Sequence, residues 1–121
     1  MIDVILEERC TACGDCVAAC PTNVFEPTPA GPPRIARPEA CQTCFMCELY
    51  CAADALYVGP DCEATQPVDR DWLLGSGLLG QYRRDSGWGE WAGDARYANE
   101  HWRMDSIFAR ARAAYSGREY P

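Results

Sequence analysis

Eight of the nine cysteines fall into two runs of one spacing. Cys10, Cys13, Cys16 and Cys20 form the first, followed by Pro21; Cys41, Cys44, Cys47 and Cys51 form the second, followed by Ala52. Each reads C-x2-C-x2-C-x3-C, and the second lies 31 residues after the first. Thiolates are soft ligands, suited to iron, copper and zinc. Three of them at two-residue intervals come from one tight loop, in which backbone N–H groups can also point at an anionic centre. A fourth, three residues further on, falls on the first turn of a helix and faces away from that loop. The chemistry is metal ligation by thiolate, written twice.

The run is the bacterial iron–sulfur signature, and the assignment is recognition of that motif. It implies two [4Fe–4S] cubanes that carry electrons one at a time. In this motif the fourth cysteine of each run ligates the other cluster. The motif therefore assigns Cys10, Cys13, Cys16 and Cys51 to one cluster, and Cys41, Cys44, Cys47 and Cys20 to the second. Structural zinc with four cysteine ligands instead shows two C-x2-C pairs parted by a long loop. An eight-cysteine disulfide framework belongs to secreted domains, and MIDVILEERC lacks the basic and apolar regions of a secretory signal.

The elements that must hold these loops are short. Ile2 to Leu6 reads as a strand, Val24 to Glu26 as a second, Arg34 to Ala36 as a third and Leu56 to Val58 as a fourth. The segment Pro27–Pro33 is a turn, because its Pro and Gly disfavour regular structure. Short helices are expected at roughly 15–20 and 46–51. Each half is one unit that cannot bury its own face. The result is an α+β unit over roughly residues 1–60 with little apolar core, in which metal binding is coupled to folding. CTACGDCVAACP and CQTCFMCELYCA, in this strand pattern, resemble a two-cluster bacterial-type ferredoxin. The resemblance implies a pseudo-twofold βαββαβ fold and low-potential one-electron transfer. Ala52 departs from it by standing where the second proline is expected, which bears on the potential and removes no ligand. Ile5, Phe45 and Tyr50 are candidate apolar neighbours that limit water at the clusters. Cys62 reads as a small packed residue, and the lone His101 as one with no cofactor role.

Eighteen acids against eleven arginines leave a formal charge of −7, and lysine is absent. Two clusters, each adding about −2 with their thiolates, would take the chain to about −11. Such a charge argues against nucleic acid and suits a partner with a basic docking patch. There is no run of eighteen apolar residues, so no membrane span is expected. Arg83-Arg84 lies mid-chain and is no twin-arginine signal. Thiols destined for metal fit a reduced, cytoplasmic setting.

The chain divides into a dicluster module, residues 1–62, and an extension, residues 63–121. The extension holds all four tryptophans (Trp72, Trp88, Trp91, Trp102), eight of the eleven arginines and four of the six tyrosines. That is the composition of interface hot spots. Gly75 to Gly93 is too rich in glycine for one helix. From about Asp94 to Ala114 the pattern is helical: Tyr97, His101, Met104, Phe108, Ala111 and Tyr115 recur at three- and four-residue steps, with Asp94 as N-cap and Gly117 as stop. The extension either folds back over the module or, the favoured expectation, docks on a second subunit. The layout resembles the iron–sulfur subunit of adenylylsulfate-reductase-like enzymes, which implies an extension wrapped around an FAD-containing subunit. The expected function is thus an electron-transfer subunit of a heteromeric oxidoreductase, relaying single electrons between an external carrier and a flavin. A free soluble ferredoxin is the alternative, and a protein with structural or oxygen-sensing clusters the third. No acid–base or nucleophile constellation is present, so no catalytic residue is assigned.

Overall fold

The computed structural model describes residues 1–97 and 105–115. The module runs β1 (Ile2–Ile5), α1 (Asp15–Ala19), β2 (Phe25–Glu26), β3 (Arg34–Ile35), α2 (Met46–Tyr50) and β4 (Leu56–Val58). Strand β1 pairs antiparallel with β4, and β2 with β3, giving two two-stranded sheets. The two halves are related by the 31-residue shift of the cysteine runs. Helix α1 maps onto α2, and the left-handed turns map in pairs: Ala12 onto Thr43, Gly14 onto Phe45, Asn23 onto Asp54. Positive φ at a non-glycine residue is uncommon. Its recurrence at matched positions marks the loops as shaped by one requirement, that of turning the backbone around the cysteines.

The central core lies between the two sheets and the two helices. It holds Ile2, Val24, Phe25, Phe45, Leu56 and Val58 together with Cys16, Cys47 and Cys51. Thiols thus occupy core positions that a larger domain would fill with aliphatic side chains.

Strand β4 is buried along its whole length. A strand with one solvated face alternates, whereas an unbroken apolar run is buried on both. Leu56 and Val58 face the central core; Tyr57 faces the other way and packs with Leu6 and Leu73, flanked by Val4, Val68, Leu78 and Leu79. Leu73 belongs to the extension, on α3 (Arg70–Gly75), which Asp69 caps by accepting from the Trp72 N–H at 2.8 Å. A second helix, α4 (Gln81–Asp85), lies against α2. Tyr82 stacks on Phe45 with centroids 5.0 Å apart, and buried Arg83 donates to the Leu49 carbonyl and, at 2.7 Å, to Glu90. The opposite sheet needs no such cover: its outward residues are Glu26 and Arg34, with Arg37 bonded to Glu26 at 3.0 Å.

Part of the extension therefore takes the fold-back course that the sequence left open. Residues 68–91 fold back onto the module because the outer face of β1–β4 is apolar. Asp94, the N-cap expected for the last helix, accepts from the Arg96 amide at 3.0 Å and holds its guanidinium at 2.7 Å. The Tyr97 N–H bonds to the Asp94 carbonyl in a turn over residues 94–97, and residues 98–104 of the expected helix lie outside the described residues. Helix α5 covers Asp105–Tyr115. His101, Trp102, Met104 and Gly117 lie outside the described residues.

Candidate metal centre

Each cysteine loop turns through two left-handed residues and then starts a short helix, so its three thiols face one side. Contrary to expectation, the fourth cysteine does not lie on the first turn of a helix; the helix begins inside the loop and ends at that cysteine, which is extended and turns its sulfur to the other half. Two cavities result. Cys10, Cys13, Cys16 and Cys51 line the first, with Ile5, Gly14, Pro33 and Leu56. Cys41, Cys44, Cys47 and Cys20 line the second, with Ile2, Val24, Phe25 and Phe45. Each cavity thus takes three cysteines from one run and one from the other. The first has a volume of about 270 Å³, far beyond the roughly 10–15 Å³ one water needs. The second is closed in to about 20 Å³, so its fit rests on its donors, which repeat those of the first.

Backbone N–H groups serve the sulfurs. Ala12 donates to Cys10 and Thr43 to Cys41, both at 3.4 Å; Val24 donates to Cys20 at 3.4 Å and Ala55 to Cys51 at 3.3 Å. These bonds suit sulfurs that carry negative charge. The protein otherwise works against that charge. Burial, and then the neighbouring Cys51, Cys10 and Cys13, push the Cys16 thiol up to about 11. Burial and then the charges of Glu48, Cys41 and Cys44 push Cys47 higher still. Buried thiols whose ionisation is opposed, Cys16 and Cys47, fit a centre that brings its own positive charge. Among the described residues no three His, Cys, Asp or Glu side chains converge on one ion. The sulfurs line a cavity in each case.

Ile5 and Phe45 stand where the sequence suggested, one at each cavity. Tyr50 does not. It is exposed, meets Trp88 edge-on at 5.6 Å, and lines neither cavity. Its position at the end of α2 turns it outward, away from Cys47. Tyr82 is the neighbour that sequence reasoning missed; it reaches the second site by stacking on Phe45. Cys62 is exposed, contrary to the packed position expected for it, because the buried residue of that turn is Asp61. Asp61 accepts from the Glu63 and Ala64 amides and from Gln66.

Glu48 follows Cys47 and is buried, its Oε1 accepting from the Val58 N–H at 2.8 Å. Burial pushes its carboxyl up to about 8, against the Val58 N–H and the Arg110 charge, which pull it down, and with Asp54, which pushes it up. Between about 4.5 and 8 the native chain holds a proton that the unfolded chain has lost. Stability therefore falls as pH rises through that window. Anaerobic denaturant unfolding at pH 6 and pH 8 should show the fall, and Glu48→Gln should flatten it. An unchanged slope in that variant would assign the pH dependence elsewhere.

Residues 2–52 match the 4Fe-4S dicluster domain. The matched segment is similar to a ferredoxin-type iron–sulfur unit, and the match supports 4Fe-4S clusters and iron–sulfur electron transfer. The DNA-directed RNA polymerase subunit Rpo3 of Methanosarcina mazei is 39% identical over 59 residues, covering 47% of this chain and 22% of that subunit. The chain thus spans about a fifth of that relative's length. No solved structure gives a significant match. Among the described residues no helix is long and apolar enough to cross a membrane.

Proposed function

We propose that this chain is the electron-transfer subunit of a heteromeric, cytoplasmic oxidoreductase, with two [4Fe–4S] clusters in a ferredoxin-like βαββαβ module. The observation that carries the reading is the pair of cavities, each ringed by four cysteines from both runs. Cys10, Cys13, Cys16 and Cys51 would hold one cluster; Cys41, Cys44, Cys47 and Cys20 the other. Bound there, the clusters supply one-electron transfer at low potential. The chain's own residues donate N–H groups to the sulfurs, wall out water with Ile5 and Phe45, and exchange one ligand between halves so that both sites share a frame.

The partner reading rests on residues 63–121. Once the extension has covered β1–β4, Trp72, Leu74, Trp88 and Phe108 remain exposed, with Tyr50 beside them in the module. Large exposed aromatics of this kind mark interaction surfaces. The partner proposed is a larger FAD-containing subunit, with an external carrier at the other end of the relay. A free soluble ferredoxin is the second reading, favoured by the fold-back of Leu73, Tyr82 and Arg83.

A pull-down from the native host separates them. The expected eluate contains a larger flavoprotein, read from its absorbance, and Trp72→Ala with Trp88→Ala lowers its yield several-fold. A chain that elutes alone, carrying iron and no flavin, supports the free carrier.

A further inference from the structure

One contact breaks the 31-residue correspondence of the two cysteine rings. The Ile2 N–H donates to Cys41 Sγ at 3.3 Å. The corresponding position in the other half is Pro33, which lines the first cavity beside Cys10 and has no N–H to give. Part of the surroundings corresponds. Ile2 pairs with Val58. Shifted by 31, that pairing sets Pro33 opposite Pro27, next along the chain from Glu26↔Arg34, although the bulge between Ile2 and Val4 sets the rest of β1–β4 one residue out of the correspondence. The carbonyl of the Met1–Ile2 peptide accepts from the Gly59 N–H at 2.9 Å. The carbonyl of the Pro32–Pro33 peptide accepts from Thr28 Oγ1 at 3.0 Å, and Thr28 is the counterpart of Gly59. The carbonyl of the corresponding peptide is thus held in both halves, by a backbone N–H in one and by a side-chain hydroxyl in the other, and of the two peptides only Met1–Ile2 has an N–H to give.

We infer that the Ile2 amide is a tuning donor to the Cys41 ring, and that Pro33 withholds the same donor from the Cys10 ring. The bonds from Thr43 to Cys41 and from Val24 to Cys20 have counterparts from Ala12 to Cys10 and from Ala55 to Cys51, whereas the bond from Ile2 to Cys41 has its counterpart position filled by Pro33. An N–H dipole aimed at a ligand sulfur stabilises the extra negative charge of the reduced state. Hydrogen bonds to sulfur are one of the levers that set an iron–sulfur potential. The inference rests on the reading of both rings as cluster sites.

The test is a redox titration, monitored by EPR, of the full chain purified anaerobically. Pro33→Ala adds an N–H facing Cys10. One midpoint should rise by about a tenfold change in the ratio of oxidised to reduced protein, about 59 mV for one electron, while the other stays. Ile2→Pro removes the existing donor and should lower the other midpoint by a similar amount; Ile2→Val keeps the N–H and should move neither. If Ile2→Pro does not fold, Pro33→Ala decides. Full iron with both midpoints unmoved in Pro33→Ala, or with both raised equally, overturns the inference and leaves the cluster assignment standing. Wild-type protein without reducible iron overturns the assignment itself.

Discussion

Cys51→Ser should strip iron from the ring of Cys10, Cys13 and Cys16, although Cys51 belongs to the other run. Two cubanes imply about eight irons and eight sulfides per chain, and the variant should retain about half. Cys20→Ser should do the same to the ring of Cys41, Cys44 and Cys47. The reason is geometric. Helices α1 and α2 each end at their fourth cysteine, whose sulfur turns into the opposite cavity. Reduced wild-type protein should show two interacting S = 1/2 centres by EPR; each variant should lose the interaction and keep one centre. Cys62→Ser is the control, since Cys62 is exposed and lines neither cavity. Loss of iron from Cys62→Ser, or about four irons in the wild type, would show the partition to be wrong. Because Cys16, Cys47 and Cys51 are core residues as well, each ligand variant should also be less stable than the wild type, as expected where metal binding and folding are one equilibrium.

The second large effect concerns the extension. Leu73 is 1% exposed and fills the contact with Leu6 and Tyr57. Leu73→Ala should cost about 2–5 kcal/mol, the range for a buried leucine whose site cannot collapse. At about 4 °C per kcal/mol for a chain of this size, the melting temperature should fall by roughly 8–20 °C. Trp72→Ala, one residue away, is the contrast. Trp72 is 54% exposed, so its loss should stay within about 0.5 kcal/mol and show itself only in partner binding. Equal stability of Leu73→Ala and wild type would mean that the extension does not roof the β1–β4 sheet in solution. Deleting residues 66–121 removes the same cover altogether. It exposes Leu6, Tyr57 and Phe45 together, so the truncated module should be markedly less stable than the full chain and more prone to associate.

Both predictions mark the border between what is written along the chain and what is not. The cysteine spacing is local: three ligands from one loop need fixed two-residue steps, and turning the loop needs left-handed residues at fixed places. Each half could therefore be read from its own dozen residues, and the strands, helices and exchange of fourth ligands came with the repeat. The extension carries no such local code. Its tryptophans signalled a surface to be buried without saying against what, and β4 held the missing sign: Leu56, Tyr57 and Val58 are apolar without alternation, so both faces of that strand need cover. Tyr50 and Tyr82 exchanged roles because contacts in space override nearness along the chain. Along the chain Tyr50 is the near neighbour of Cys47; in space α2 turns it to solvent, and the return of α4 brings Tyr82 onto Phe45. The cysteine runs, their spacing and the doubled unit were legible in the order of residues, because they depend on contacts a few residues long. The cover of the sheet, the aromatic that reaches the second site and the ring with the additional N–H emerged in the folded chain alone, because they depend on where distant segments meet.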